Sequence, residues 1–515
     1  MRYAKAGRGE NRATVGVAAM PSNRLFDPPE GSLRKTVGRG ALVIAVSQGV
    51  QIATQMASVL VLSRLLAPVD FGLMAMCAPV IALLAMLQNF GLVQATVQKK
   101  RLTAADVNFL FWVNMTFSVA LAVFLLALSP LIAAFYDEPR VGPLIAAMSS
   151  TIVISGLGAQ HGALLNRRMA FGLLAWLSVA GAVTTLGVAI AWALISPSYW
   201  AIFAGTLAGA TIATALSWVF SGWLPGLPGR APDMRGLLGF GAGITGFNLT
   251  NFFARNLDNI IIGKVWGSVE LGFYDRAYKL LLFPLRQVSN PLSRVMIPAL
   301  SRMLDEPDRY RHAYLRVLNL SLLLILPGVA WATAMADSLI PFMLGAQWQD
   351  SAPIFMALGF AGLVQPLNNP AGWLFISQGR STEYMIWGFV TAGFAITAFA
   401  GGIYWGALGV AIAYAISEYA KTVPLWRYIS RQGPIRSRDI ATACGPLMVA
   451  GHLCLGAVWL LQGQISGSPL ARLGINLAFS YGLFMLILLA FSAGRATLRE
   501  AASLAAGQLR RARPV

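Results

Sequence analysis

The composition of this 515-residue chain excludes an ordinary soluble protein. Hydrophobic residues make up 57% of it and charged residues only 11%, whereas soluble domains carry about 25% charged residues. The 39 Lys and Arg exceed the 20 Asp and Glu, and they lie mainly between apolar stretches of about 20 residues, the length of a membrane-crossing helix. We therefore predict an all-α polytopic membrane protein whose positive charge belongs to its loops and not to a nucleic-acid-binding surface.

Along the chain, a basic polar segment, residues 1–39, precedes the first apolar stretch and is predicted to be a disordered cytoplasmic tail. About fourteen spans follow. Their predicted limits are Gly40–Leu62, Phe71–Leu92, Phe109–Ala133, Val141–Leu165, Phe171–Ile195, Tyr199–Trp223, Gly239–Ile262, Leu271–Val295, Tyr314–Ala336, Pro353–Ser377, Tyr384–Ile403, Gly406–Tyr428, Ile440–Leu461 and Leu470–Phe491. Short connections between them leave no room for a sizeable soluble domain.

Basic residues are distributed unevenly over the loops. If the N-terminus is cytoplasmic, 29 of the 39 Lys and Arg lie in cytoplasmic segments and four lie on the opposite side. Loops on the cytoplasmic side of bacterial membrane proteins are enriched in Lys and Arg. The sequence therefore predicts that both termini are cytoplasmic.

An internal repeat appears at an offset of 200 residues. It relates Arg64, Val69, Asp70 and Gly72 to Lys264, Val269, Glu270 and Gly272, and Gln48, Gln51, Gln55 and Ser58 to Asn248, Asn251, Arg255 and Asp258. Six crossings between the copies return the chain to its starting side. This predicts two six-helix lobes, residues 40–236 and 237–438, related by a parallel repeat with the substrate site between them. Residues 439–515 would add two C-terminal helices and a basic cytoplasmic tail.

Ionisable residues inside spans are candidate site residues, because burying charge in a bilayer is costly. We predict a substrate-binding cavity lined by one face of span 7, one face of span 8 and span 1. Its candidate residues are Gln55, Asn251, Arg255, Asp258, Arg276, Lys279, Arg286 and Asn290. Two alternatives stay open: Arg276 could extend its guanidinium to the headgroups, and Arg255 with Asp258 could form a structural ion pair.

Two further features fall in spans 10 and 12. Glu418 and Lys421 are three residues apart and predict an ion pair that is either structural or a coupling site. The sequence Asn368-Asn369-Pro370 should break or kink span 10, as a hinge or as a simple bend. The three Cys and three His are scattered without ligand spacing, so we expect no metal site, no cofactor and no catalytic residue.

Three sequence blocks resemble the polysaccharide transporter family, the Wzx-type flippases for lipid-linked oligosaccharides, with the colanic-acid and succinoglycan exporters nearest. They are Ser63-Arg64-Leu65-Leu66-Ala67-Pro68-Val69-Asp70-Phe71-Gly72, Gly272-Phe273-Tyr274-Asp275-Arg276-Ala277 and Pro298-Ala299-Leu300-Ser301-Arg302. The basic segment before Arg34 departs from what is expected of this family.

The resemblance implies a fourteen-helix exporter fold of the multidrug, oligosaccharidyl-lipid and polysaccharide exporter superfamily. It implies alternating-access transport of an undecaprenyl-pyrophosphate-linked exopolysaccharide repeat unit across the bacterial inner membrane to the periplasmic face. The implied partners are the lipid-linked oligosaccharide, membrane lipids, and the polymerase and chain-length regulator of the same pathway. Nucleic acid is not among them.

Three rival functions are less compatible with the sequence. A cation-coupled multidrug antiporter of the same superfamily would be expected to bury a carboxylate in the first lobe, where the acids instead lie at span ends. A membrane O-antigen polymerase or ligase needs a long extracytoplasmic loop, and the longest candidate is about Asp337 to Ala352. A scaffold would not need cationic residues within the bilayer.

Overall fold

The computed structural model describes the backbone of residues 33–89, 96–97, 99, 102–227, 234–465 and 467–512. Within these ranges it describes the side chains of residues 43–88, 96–97, 99, 102–227, 256–465, 467–504 and 506. The predicted tail therefore lies almost entirely outside the described residues.

The described chain is helical throughout its long elements, so the all-α prediction is confirmed. The first six helices are α1 (Leu33–Leu65), α2 (Pro68–Asn89), α3 (Ala104–Tyr136), α4 (Val141–Arg167), α5 (Phe171–Ile195) and α6 (Tyr199–Ser221). A continuous helical segment, Met234–Ser301, is interrupted at Gly267 and forms α7 (234–266) and α8 (268–301). There follow α9 (Pro307–Ala334), α10 (Ala336–Leu344), α11 (Ser351–Asn368), α12 (Ala371–Ser377), α13 (Ser381–Gly402), α14 (Gly406–Ile429), α15 (Ser437–Leu461), α16 (Pro469–Leu489) and α17 (Ser492–Ala512).

Fifteen of the seventeen described helices, all except α10 and α12, have 18 or more residues. In the described part of the chain, ten stretches are both long and apolar enough to cross a membrane, and one of them, Ser381–Ile429, covers α13 and α14 together. The charge-rich helix α8 is not among the ten. The protein is thus an all-helical, multi-pass membrane protein.

Several helix limits differ from the sequence prediction. Helix α1 begins at Leu33 and not at Gly40, because Lys and Arg are good helix formers that the hydropathy criterion does not score. The predicted basic tail after span 14 contains a further helix, α17. The predicted span Pro353–Ser377 divides into α11 and α12 after Asn368, where Pro370 lacks the amide proton that would continue the helix.

The helices pack as two groups that follow one another in the chain, and two C-terminal helices pack on the second group. In the first group α3 packs on α4, α5 on α6, and α1 on α5. In the second group α11 contacts α8, α9 and α14, and α13 contacts α14. Helices α15 and α16 pack on α9, on the side of the second group. The groups meet chiefly where α2 packs against the segment formed by α7 and α8.

Two glycines permit a close backbone approach between these groups. A Cβ atom added to Gly72 at the start of α2 would lie 1.6 Å from the Ser268 carbonyl oxygen. One added to Gly272 would lie 2.1 Å from the Pro68 carbonyl oxygen. Both separations are far below van der Waals contact, so neither position accommodates a side chain in this arrangement. Gly267, with φ 80° and ψ −172°, supplies the left-handed backbone that separates α7 from α8.

We predict that Gly72→Ala destabilises the folded protein, because its Cβ would push the two helix starts apart. The thermal unfolding midpoint of the purified protein should fall measurably below that of Gly162→Ala. The latter is a matched control, because a Cβ at Gly162 meets no atom within 4 Å. Equal midpoints for the two variants would contradict the close approach.

Candidate functional site

The first motif block forms a capping structure at the start of α2. One carboxylate oxygen of Asp70 accepts a hydrogen bond from the Ala67 amide at 3.0 Å, and the other accepts one from the Tyr199 amide at 2.9 Å. Asp70 is 8% exposed. A carboxylate that binds free amides at helix N-termini satisfies donors that have no intrahelical partner. Asp70 therefore joins the α1–α2 connection to the start of α6.

The first two motif blocks meet through their aromatic and cationic side chains. The Arg276 guanidinium lies over the Phe71 ring at 3.5 Å from its centroid. Phe71 and Phe273 both contact the Trp348 ring, with centroids 5.4 Å and 6.1 Å away. Trp348 is fully buried. A guanidinium over an aromatic face is a favourable cation–π contact, and more so when it is desolvated.

Backbone carbonyls at the end of α1 bind the connection that follows α10. The Trp348 indole donates to the Ser63 carbonyl at 2.6 Å, and the Gln347 amide donates to the carbonyls of Ser63 and Leu66. Arg64 donates to the Phe342 carbonyl at 2.7 Å. The predicted extracytoplasmic loop from Asp337 is thus a short helix and a 3-10 turn that hold the end of α1.

Charged residues extend the same contact zone. Lys264 at the end of α7 forms an ion pair with Asp137 in the α3–α4 connection. In that connection, hydrogen bonds from Arg140 hold the pKa of Glu138 below its usual range. A carboxyl with a depressed pKa stays ionised at neutral pH, and its contribution to stability is lost only as the pH falls through that pKa. We call residues 63–72, 137–140, 264–276 and 342–348 together the junction seam.

At the opposite end of the bundle, the described polar contacts join helices within each group. Arg167 donates to the carbonyls of Thr96, Val97 and Lys99. Arg380 donates to the carbonyls of Ile429 and Gln432. At the junction seam, residues of the first group contact residues of the second. Arg167 and Arg380, by contrast, each form hydrogen bonds within one group.

Some of the cationic residues on the predicted face of α8 have a partner, and others have none among the described side chains. Lys279 forms an ion pair of 2.8 Å with Asp275, whose side chain is 5% exposed. Arg276 belongs to the junction seam, where its guanidinium lies over the Phe71 ring. Arg286 and Asn290 are exposed, and Arg286 forms no ion pair with any side chain in the described part of the chain. The free cationic part of α8 thus lies in its second half.

A buried polar network crosses the second group of helices. The Tyr274 hydroxyl donates to Asp258 at 3.0 Å, and Tyr274 stacks on Tyr278 with ring centroids 5.9 Å apart. Tyr278 contacts Tyr414 edge-on. The network continues from Tyr414 to α11, where Gln365 donates to the Tyr414 hydroxyl at 3.0 Å.

Next to this network, Lys421 forms an ion pair with Glu418, which is 2% exposed, so these two residues are paired as the sequence predicted. Asn368 at the end of α11 donates to Thr422 at 2.9 Å. Sequence spacing did not identify Tyr274 and Tyr278 as bridging residues, although Tyr274 lies inside a motif block.

The other predicted site residues have different outcomes. Gln55 is exposed on α1. Asn251 and Arg255 fall on the part of α7 whose side chains lie outside the described residues, so the proposed pairing of Arg255 with Asp258 stays a prediction. Among the described residues, no group of three or more His, Cys, Asp and Glu could hold a metal ion.

Solved structures with the same arrangement of helices define the class. The lipid II flippase MurJ in an inward closed conformation matches 87% of this chain and 98% of its own, with a TM-score of 0.71 and 12% identity. An inward-facing MATE-family multidrug resistance transporter of the MOP superfamily covers 79% of this chain and 95% of its own, with a TM-score of 0.58 and 12% identity. The fold is that of MOP-superfamily transporters.

Sequence comparisons define the family. Residues 61–353 match the model of the polysaccharide biosynthesis protein family, and the chain belongs to that family. The lipopolysaccharide biosynthesis protein WzxC of Escherichia coli K12 is 24% identical over 76% of this chain and 80% of its own length. The succinoglycan biosynthesis transport protein ExoT of Rhizobium meliloti is 23% identical over 93% of this chain and 98% of its own. The protein is a membrane transporter of polysaccharide biosynthesis and not an enzyme.

We predict that Lys279→Ala lowers stability, because it leaves the buried Asp275 carboxylate without its partner. An unsatisfied buried group costs about 1–3 kcal/mol, so the membrane level and the unfolding midpoint of the variant should fall. Adding Asp275→Asn should restore both, because a neutral amide needs no counter-charge. If the double variant were as unstable as Lys279→Ala, the pair would not be the cause.

Proposed function

We propose that the protein moves an undecaprenyl-pyrophosphate-linked exopolysaccharide repeat unit to the periplasmic face of a bacterial inner membrane by alternating access. Both termini are cytoplasmic in this proposal, which puts the junction seam at the periplasmic end. The lipid-linked substrate is supported by the family and by the likeness to WzxC and ExoT. The observation that carries the proposal is the exposed Arg286 on a helix packed within the bundle.

The depth of Arg286 fits a headgroup site near the cytoplasmic boundary. Residue 286 lies 18 residues from the start of α8, which is about 27 Å at 1.5 Å per residue. The hydrocarbon core is about 30 Å thick. With the seam at the periplasmic boundary, Arg286 lies close to the level of the cytoplasmic headgroups, where a pyrophosphate arrives. Guanidinium groups form charge-assisted bonds with phosphate oxygens, so Arg286 is proposed to bind the pyrophosphate, with Asn290 beside it.

The two-lobe arrangement predicted from the repeat is supported by the reciprocal glycine contact. Gly72 approaches Ser268, and Gly272 approaches Pro68. The two glycines are 200 residues apart, and so are their two partners, so the second contact repeats the first with the two copies of the repeat exchanged. The interruptions between α1 and α2 and between α7 and α8 have the same offset. Reciprocal contacts of this kind surround a two-fold axis. We infer that the lobes rotate about an axis through the seam, which is closed here.

The buried carboxylates of the first group do not favour the drug-antiporter alternative. Asp70 and Asp106 are both buried, and both cap helix starts. Asp106 accepts from the Thr103 amide at 3.0 Å and forms an ion pair of 2.9 Å with Lys99. Neither is a lone acid inside the lobe that could exchange a cation. A coupling ion, if one is used, would act on the second group, where Asp258 and Glu418 are buried.

The proposal predicts that Arg286→Ala strongly reduces export while the protein accumulates normally in the membrane. A hydrogen bond to a charged group contributes about 1.5–3 kcal/mol, so substrate affinity should fall about tenfold or more. Flipping of a defined lipid-linked oligosaccharide by the reconstituted protein measures this. Arg286→Lys should retain partial activity if charge suffices. Arg427→Ala, which removes another exposed arginine, is the matched control. Normal flipping by a stable Arg286→Ala protein would refute the role of this residue.

Alternating access predicts that a covalent link across the junction seam stops transport. Asp137→Cys with Lys264→Cys places thiols on either side of the ion pair, and the three native cysteines are buried. A cleavable bifunctional thiol reagent should abolish flipping, and reduction should restore it. Ser196→Cys with Ser198→Cys, within one connection, controls for modification alone. Full flipping by the linked protein would exclude opening at the seam.

A further inference from the structure

Helix α17 is a surface helix that follows directly on a membrane span. Helix α16 ends at Leu489 and α17 begins at Ser492. Helix α17 has 21 residues, a length of about 31 Å, and five of them, Arg495, Arg499, Glu500, Arg510 and Arg511, are charged, which is too many for a membrane span. It is therefore not a further span, and its ion pair with Arg316 places it at the same end of the bundle as the start of α9.

One side of α17 is fixed to the bundle. A Cβ added to Gly494 would lie 2.3 Å from the Leu488 carbonyl oxygen, so the turn out of α16 requires glycine there. Thr497 is 3% exposed. Glu500 forms an ion pair of 2.6 Å with Arg316 on α9. These contacts determine which side of α17 faces the protein.

The opposite side of α17 is basic. Arg495 and Arg499 are four residues apart and both exposed, with exposed Ala502 on the same face at about 100° per residue. Arg495 donates to the Leu489 carbonyl at 2.8 Å, but neither arginine has a carboxylate partner among the described side chains. The sequence adds Arg510, Arg511 and Arg513. The outward face thus carries uncompensated positive charge next to the end of a membrane span.

We propose that this outward face of α17, with Arg495 and Arg499, binds the phosphate headgroups of anionic phospholipids. Charge complementarity supports this occupant: a basic face on a helix that lies in the membrane boundary meets negatively charged headgroups. The ion pair between Glu500 and Arg316 connects α17 to α9, and α15 and α16 also pack on α9. Binding of anionic lipid therefore stabilises the C-terminal helices against the second group.

The test uses the full-length protein in a neutral detergent, titrated with phosphatidylglycerol or with phosphatidylcholine. Hydrogen–deuterium exchange of residues 492–504 and the thermal unfolding midpoint are measured at each lipid concentration. Phosphatidylglycerol should slow the exchange and raise the midpoint, whereas phosphatidylcholine should do neither. Since each basic residue near an anionic surface contributes about fivefold to affinity, Arg495→Gln with Arg499→Gln should raise the half-saturating concentration about thirtyfold.

Two further variants make the result specific to this face. Ala502→Glu adds a carboxylate to the same face, three residues after Arg499, and should weaken the phosphatidylglycerol effect. Arg427→Gln with Arg438→Gln removes the same charge from exposed positions elsewhere and should leave it nearly unchanged. Equal responses to both lipids, or an equal loss in the control pair, would overturn the proposal. So would protection that rises with protein concentration without lipid, which would identify a second copy as the occupant.

Discussion

The close approach of two helix starts is the constraint on which the rest of this structure depends. The backbone at Gly72 touches that at Ser268, and the backbone at Gly272 touches that at Pro68. Because no side chain separates these segments, the flanking residues are brought within reach of one another. Phe71 can then stack with Arg276, and Lys264 can reach Asp137. The first two of the three sequence motifs are therefore explained first by the contact between its halves.

Much of the fold could be predicted from the sequence, because hydropathy and loop charge report directly on the bilayer. The interruption after Asn368 was also predictable, since Pro370 cannot donate a backbone hydrogen bond. Helix α17 was not, because hydropathy identifies helices that lipid surrounds and not those that lie on the boundary. For the same reason the predicted start of α1 was too late, because basic residues extend this apolar helix toward its N-terminus.

The candidate site was harder to predict, because spacing along one helix does not show what packs against it. Helical periodicity put Arg276, Lys279 and Arg286 on related faces of α8, but their environments differ. Arg276 stacks on Phe71, Lys279 is paired with Asp275, and Arg286 is exposed. The partner of Arg276 comes from a helix about 200 residues earlier, and the periodicity of the cations does not show that Asp275 pairs with Lys279.

The polar groups of the protein are distributed between two tasks of a transporter, which are opening and closing the contact between its halves and binding the substrate. At the junction seam, Lys264 is paired with Asp137, and Arg64 and Asp70 are hydrogen-bonded to backbone, which suits a contact that must form and release as a unit. In the second half of α8 the cationic charge has no carboxylate partner among the described residues, which suits a site whose counter-charge arrives with the substrate. A buried cation without a partner is costly, so an exposed Arg286 is tolerable only where water or an anion reaches it. Because an unsolvated cation is costly in a membrane, the proposed pyrophosphate site must admit water or the substrate's phosphate oxygens to Arg286.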